Sequence, residues 1–297
     1  MQQTKTAFIS IVGRPNVGKS SILNILLGQK IAIVSNKPQT TRTRIMGVLT
    51  IDETQLVFTD TPGYHRAKNK LGERMVKAVG ESIAGVDVCL FVAEGQGELR
   101  DTELELIESF KKNNIPAVLA INKIDKIKNK DQLALRIAEL SKHYDFLAVV
   151  PVSAVKGDGM DVLKDELIKI AQPGVHYFPD DTLTDQPERV LAAEIIREKL
   201  LRLLQKEIPH GIAVSIEKMR EREDREILDI EAVIYCEKES HKGIIIGKGG
   251  TMLKKVSTYA RQDMEGFFGC RINLQCWLKV KEGWRNKEGL IHNFGLD

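Results

Sequence analysis

Residues 13–20 read Gly-Arg-Pro-Asn-Val-Gly-Lys-Ser and match the spacing G-x-x-x-x-G-K-S/T. They follow the apolar run Phe8–Val12 and precede the helical pattern Ser21–Leu27. A strand, a glycine-bearing loop and a helix, in that order, constrain the fold more than any other stretch of the chain. The glycines let successive backbone N–H groups turn toward one point, and the helix start adds its positive end. The group such a cradle receives is a phosphate. Gly13, Arg14, Pro15, Asn16, Val17, Gly18, Lys19, Ser20 and Ser21 are therefore the candidate phosphate-binding residues. Lys19 supplies a point charge to terminal phosphates, and the Ser20 hydroxyl is placed to ligate Mg²⁺.

Strands are expected at Phe8–Val12, Gln55–Phe58, Val88–Val92, Ala117–Ile121 and Leu147–Val150, alternating with amphipathic helices. That alternation reads as an α/β domain with a mostly parallel, doubly wound sheet, in which ligands bind at the carboxyl ends of strands. Two more motifs fall in such loops. Asp60-Thr61-Pro62-Gly63 follows the second strand, where an acid can hold the Mg²⁺ hydration shell and the Gly63 N–H can reach a γ-phosphate. Asn122-Lys123-Ile124-Asp125 follows the fourth strand. An Asp125 carboxylate can accept from guanine N1–H and the exocyclic amine, whereas adenine leaves it unpaired. Lys123 is placed to lay its stem over the base and Asn122 to tie loops together. Ser153-Ala154, after the fifth strand, puts a backbone N–H near guanine O6. The expected ligands are GTP and GDP.

Residues 172–189, QPGVHYFPDDTLTDQPER, carry three prolines and no periodic pattern. The expected division is a nucleotide-binding domain over 1–171, a linker over 172–189 and a second domain over 190–297. The second domain opens with a helix over Val190–Lys206. Two strands follow, the second alternating Leu228, Ile230, Ala232 and Ile234 with Asp229, Glu231 and Val233. A short helix then runs into Gly247-Lys248-Gly249-Gly250, a second helix over Met252–Met264, and a final alternating strand over Ile272–Val280. Helix, strand, strand, helix, G-x-x-G, helix, strand resembles the type II arrangement of an α+β KH domain. The glycines of such a loop let the backbone approach a sugar-phosphate chain closely. Gly247, Lys248, Gly249, Gly250, Lys254 and Lys255 are the candidate RNA-binding residues. Trp277 and Trp284 are open to two readings, base stacking or packing.

Charge supports this reading by its distribution. The net charge is only +3, yet residues 238–287 hold 11 Lys and Arg against 4 Asp and Glu. Cys89, Cys236, Cys270 and Cys276 include no C-x-x-C pair, which argues against zinc and against a disulfide framework. No run of 18 apolar residues and no secretory signal are present, so a cytoplasmic location is expected.

The four nucleotide motifs, in this order, resemble a Ras-like GTPase of the translation-factor class. With one C-terminal KH domain, and with the stretches Lys37–Arg42 and Glu194–Leu200, the chain resembles the Era-type GTPases over nearly its whole length. A single phosphate loop argues against the tandem-GTPase relatives. The resemblance places the first switch at Gln39, Thr40, Thr41, Arg42 and Thr43, with Thr41, or alternatively Thr40, ligating Mg²⁺ beside Ser20 and Asp60. Tyr64 stands where Ras-like enzymes carry a water-orienting glutamine. Asn16 occupies the position at which related GTPases help bind K⁺. The resemblance further implies slow GTP hydrolysis and binding to the 3′ end of 16S rRNA in small ribosomal subunit assembly. A monomer, with peripheral association at the inner membrane, is expected as well. The competing class is a signalling or membrane-associated GTPase whose C-terminal domain binds protein.

Overall fold

The computed structural model describes residues 3–37, 39–205, 208–223 and 226–296, so Pro38 and Lys206 of the stretches above lie outside the described residues. The chain divides into two compact units. One comprises Met1–Ala32, Thr41–Ala67 and Gly72–Asp185; the other comprises Ile33–Thr40, Lys68–Leu71 and Gln186–Asp297.

The first unit contains β1 (Lys5–Val12), α1 (Lys19–Leu27), β2 (Ile45–Ile51), β3 (Thr54–Asp60), α2 (Lys70–Ile83, its first residues in the other unit) and β4 (Val88–Glu94). It continues with α3 (Asp101–Asn113), β5 (Ala117–Asn122), α4 (Lys130–Ser141), β6 (Ala148–Pro151), α5 (Met160–Ile170) and the two-residue β7 (Gln172–Pro173). Strand order is β2-β3-β1-β4-β5-β6. The pairs β3-β1, β1-β4, β4-β5 and β5-β6 are parallel. Strands β4 and β5 are buried along almost their full length, as expected of strands covered on both faces. Phe91, Phe110 and Leu119 sit in one core cluster of this sheet and its helices. Strand β1 lies between β3 and β4, with β2 and β3 on one side and β4, β5 and β6 on the other, so the loop after β1 lies at the switch point of the sheet.

Two features carry no local sequence signal. Strand β2 pairs antiparallel with β3 and forms the edge of the sheet. Residues 172–184, expected as a linker, run as a strap over that side of the unit. Tyr177 N and Phe178 N donate to Gln55 Oε1 at 2.8 and 3.0 Å, and Gln55 Nε2 donates back to Phe178 O at 2.9 Å. Val48 N of β2 donates to Leu183 O at 2.9 Å, and Thr184 Oγ1 donates to Met46 O at 2.6 Å. The strap thereby occupies edge groups that an exposed β2 would leave open.

The second unit holds α6 (Glu188–Leu203), β8 (Ala213–Glu221), β9 (Ile227–Cys236), α7 (Glu239–Ile246), α8 (Thr251–Phe268), β10 (Arg271–Val280) and α9 (Glu288–Asn293). Strand β9 is central, antiparallel to β8 and parallel to β10. Ile196, Leu200, Ile230, Ile234, Val256 and Ala260 form the core between helices and sheet. Trp284 is fully buried, and its Nε1 donates to Gly211 O at 2.9 Å, which decides this side chain for packing rather than stacking. Trp277 remains 44% exposed. No helix among the described residues is long and apolar enough to cross a membrane.

Candidate nucleotide site and RNA-facing loop

The phosphate loop joins β1 to α1. Lys19 is buried, and its Nζ donates to Gly13 O and Arg14 O at 3.1 Å each. Burial penalises the cation and lowers the amine to about 8, with the Asp60 carboxylate pulling the other way. Gly18 has φ 106°, and a Cβ there would stand 2.1 Å from Asn122 Nδ2. Only glycine lets the guanine loop approach the phosphate loop this closely. Asn122 Nδ2 donates to Val17 O at 2.8 Å, and Asn122 Oδ1 accepts from Ala154 N at 3.0 Å. One buried amide thus joins three loops.

The candidate metal ligands converge. Ser20 Oγ donates to Asp60 Oδ2 at 2.6 Å and lies 3.0 Å from Thr41 Oγ1, itself 3.4 Å from Asp60 Oδ2. Thr40 Oγ1 instead bonds Lys37 O at 2.6 Å and meets Ser35 Oγ at 2.8 Å. Of the two threonines, Thr41 is the one at this oxygen cluster. Asp60 is fully buried, which raises its carboxyl pKa, and its Oδ1 has no hydrogen-bond partner. A buried orphan carboxylate oxygen beside two hydroxyls suits Mg²⁺, a hard cation that takes few protein ligands and keeps water and phosphate oxygens. Among the described residues no three His, Cys, Asp or Glu cluster as a metal site built from protein side chains alone.

Thr61 Oγ1 donates to Ile11 O at 2.9 Å, and Thr61, Pro62 and Gly63 are buried. A Cβ on Gly63 would meet the Pro15 backbone at 2.5 Å, and Tyr64 N donates to Gly13 O at 3.0 Å. This second loop is therefore seated on the phosphate loop. Gln39 has φ 60°, Arg42 is 3% exposed, and Thr43 and Ser21 are half-buried. Asn16 is exposed, with φ 64°.

At the base-selecting end, Ser153 Oγ donates to Asp125 Oδ1 at 2.7 Å, and this bond lowers the Asp125 pKa. Ser153 N donates to Asp158 O at 2.9 Å. With Ala154 N on Asn122 Oδ1, both backbone donors of this pair are engaged within the protein. In this geometry Ala154 N holds Asn122, and the Ser153 hydroxyl holds Asp125. Lys123 Nζ donates to Asn16 O at 2.6 Å and pairs with Glu94.

Glu94, Glu103 and Arg136 belong to no sequence motif. Glu103 is 1% exposed and accepts two bonds from Arg136 Nη2 at 2.8 Å and one from Arg14 Nε at 3.2 Å. Acids and bases on helix patterns ordinarily face water, so no local signal marks Glu103 and Arg136 as buried, and Glu94 is a half-buried acid at the end of β4.

In the second unit, Gly247, Gly249 and Gly250 have positive φ and form a turn at the start of the 18-residue α8. Lys248, Lys254 and Lys255 are exposed. Tyr259 is 42% exposed, with Lys255 Nζ 5.8 Å from its ring centre, and Ile244 is 51% exposed. A glycine turn at a helix N-terminus with exposed lysines is suited to phosphodiester groups.

Fold and site together define a phosphate-loop GTPase domain followed by a KH domain. The family described as "50S ribosome-binding GTPase" matches residues 8–123, and the KH domain family matches residues 207–285. GTPase Era of Clostridioides difficile is 52% identical over 293 residues, 99% of each chain. GTPase Era of Ruminiclostridium cellulolyticum is 48% identical, over 98% of this chain and 97% of its own. Among solved structures, an Aquifex aeolicus Era variant bound to GDP and AlF4⁻ superposes with TM-score 0.95 at 39% identity, covering 99% of both chains. Era in complex with MgGDPNP and nucleotides 1506–1542 of 16S ribosomal RNA gives the same score, identity and coverage. The chain belongs to the Era family of GTPases, and it hydrolyses GTP.

Proposed function

We propose that this GTPase binds the 3′ end of 16S rRNA through its KH domain and assists assembly of the small ribosomal subunit in a GTP-dependent manner. The observation that carries the reading is the GKGG turn at the start of a lysine-bearing helix, in a chain 39% identical throughout to a protein solved with that RNA segment. Gly247–Gly250 would approach the sugar-phosphate chain, with Lys248, Lys254 and Lys255 supplying the salt-dependent attraction.

Ser20, Thr41 and Asp60 would hold Mg²⁺, whose charge offsets that of the phosphates. The remaining work falls to the chain itself. The Gly13–Ser20 backbone and Lys19 grip the phosphates, Gly63 senses the γ-phosphate, and Asp125 selects guanine. Asn16 is proposed to help hold K⁺ near the β and γ oxygens. Without a glutamine at position 64, hydrolysis is proposed to be slow. The protein is proposed to act as a monomer in the cytoplasm, with peripheral attachment to the inner membrane.

Nucleotide gating of RNA binding draws support from contacts inside the second unit. Residues 33–40, which run directly into Thr41, belong to that unit. Arg197 of α6 donates to Thr40 O, Glu198 Oε1 accepts from Val34 N at 2.9 Å, and Arg202 donates to Val34 O at 3.0 and 3.1 Å. Lys199 pairs with Asp263 of α8, the helix carrying Lys254 and Lys255. A segment ordered by nucleotide would thus bear on the helix that meets RNA.

Crosslinking of GTP-loaded protein to total RNA, followed by sequencing, tests the reading. A pile-up at the 3′ end of 16S rRNA, lost when Gly247 and Lys248 are both replaced by Asp, is expected. Unchanged crosslinking by that variant, or a uniform RNA signal, would sink it and favour a protein-binding C-terminal domain.

A further inference from the structure

Glu103 lies in the first turn of α3 and accepts four hydrogen bonds. Three come from arginine side chains: two from Arg136 Nη2 at 2.8 Å and one from Arg14 Nε at 3.2 Å. The fourth comes from Arg100 N at 3.1 Å and caps the helix. Capping needs only that last bond, and an exposed glutamate provides it equally well. Burying a carboxylate with two guanidinium groups is costly unless all three are held in fixed geometry. Arg136 is 4% exposed, donates to the Glu94 carbonyl at 3.3 Å and anchors the Glu103 carboxylate from α4. The partner left over is Arg14, the second residue of the phosphate loop.

Arg14 is also where the loop meets its lysine, since Arg14 O and Gly13 O are the acceptors on which Lys19 Nζ rests. Arg14 Nη2 lies 3.8 Å from Glu94 Oε2, while Glu94 Oε1 pairs with Lys123, the residue that holds Asn16 O. Side chains rooted in β4, α3 and the guanine loop therefore pin the loop at residues 14 and 16.

We propose that Glu103, clamped by Arg136, is a positioning residue for GTP binding: it fixes Arg14 and, through it, the backbone of the phosphate loop. This rests only on the GTPase activity and is independent of any RNA partner.

The test measures release of a fluorescent GDP from the full chain carrying Glu103→Gln, Arg14→Met, or both. Arg14→Met leaves the Glu103–Arg136 pair whole, so its thermal midpoint should stay near that of the unaltered protein. Each single variant is expected to release GDP about tenfold faster, the scale of one lost coupling between neighbouring charged groups. The double variant should be no faster than Glu103→Gln alone, because both act through one contact. If Glu103→Gln does not fold, Arg136→Lys replaces it in the cycle, keeping the charge but losing the planar fork that also reaches the Glu94 carbonyl and Glu139. Unaltered GDP release from Arg14→Met, or additive effects in the double variant, would overturn the proposal and leave a purely structural ion pair.

Discussion

Two loops of this protein start alike, as a glycine turn running into a helix, and then diverge. Around Gly13–Ser20 the polar groups are buried and interlocked, with Lys19 at 6% exposure, Asn122 at 2% and Asp60 at 0%. Around Gly247–Gly250 the lysines are exposed, and the bonds that shape the turn are local, Gly250 N to Gly247 O at 3.1 Å and Thr251 Oγ1 to Lys248 O at 2.9 Å. A small ligand of fixed shape repays a preorganised cage, because each group already stands where it is needed. A flexible polyanion is met better by exposed charge that adapts to it and responds to salt.

The sharpest way to break this contrast is at the guanine end of the cage. Asp125→Asn should weaken GTP binding about 10³-fold by leaving the base donors unpaired, while RNA binding by nucleotide-free protein stays unchanged. Titration with GTP and with xanthosine triphosphate reads the effect, and GTP affinity within threefold of the original would remove Asp125 as the selector.

The next effect follows from burial of Lys19. Desolvation lowers its pKa to about 8, so above that pH the apo site holds a neutral amine. Bound phosphates favour the cation and raise the pKa, so binding takes up a proton there. GDP affinity should fall by up to about tenfold per pH unit above about 8. Calorimetry in two buffers of different ionisation enthalpy measures the uptake; none at pH 9 would contradict it.

A smaller change is expected from Asn16→Ala. Hydrolysis stimulated by K⁺ over Na⁺ should lose that stimulation, a factor on the order of ten. Equal rates in the two salts for the unaltered protein would remove the cation proposal.

The smallest effect concerns gating. Glu198→Gln should shrink the ratio of RNA affinities with GTP analogue and with GDP by about fivefold, the low end of typical site-to-site coupling. A ratio of one in the unaltered protein refutes gating itself. A normal ratio in the variant refutes only the role of Glu198.

Much of the nucleotide site was legible as motif because its chemistry is local. A glycine loop between strand and helix presents its N–H groups through its own backbone, and Asn122, Lys123 and Asp125 lie within four consecutive residues. The strands of the parallel sheet were equally plain, since β4 and β5 read as unbroken apolar runs. Strand β2 was missed because its sequence, IMGVLTI, lacks the alternation that marks an edge strand and includes a glycine.

Sequence by itself determined the order of the motifs, the doubly wound domain and the KH arrangement with its basic block. Tertiary structure decided the rest. It set Thr41 rather than Thr40 at Ser20 and Asp60, buried Trp284, and laid residues 172–184 across β1, β3 and β2 in turn. It also brought Glu103 to Arg14 and Arg136, residues 89 and 33 positions away. The physical reason is common to all of these. Whether a charge or hydroxyl can be buried depends on partners supplied from distant parts of the chain, and only folding brings those partners within reach.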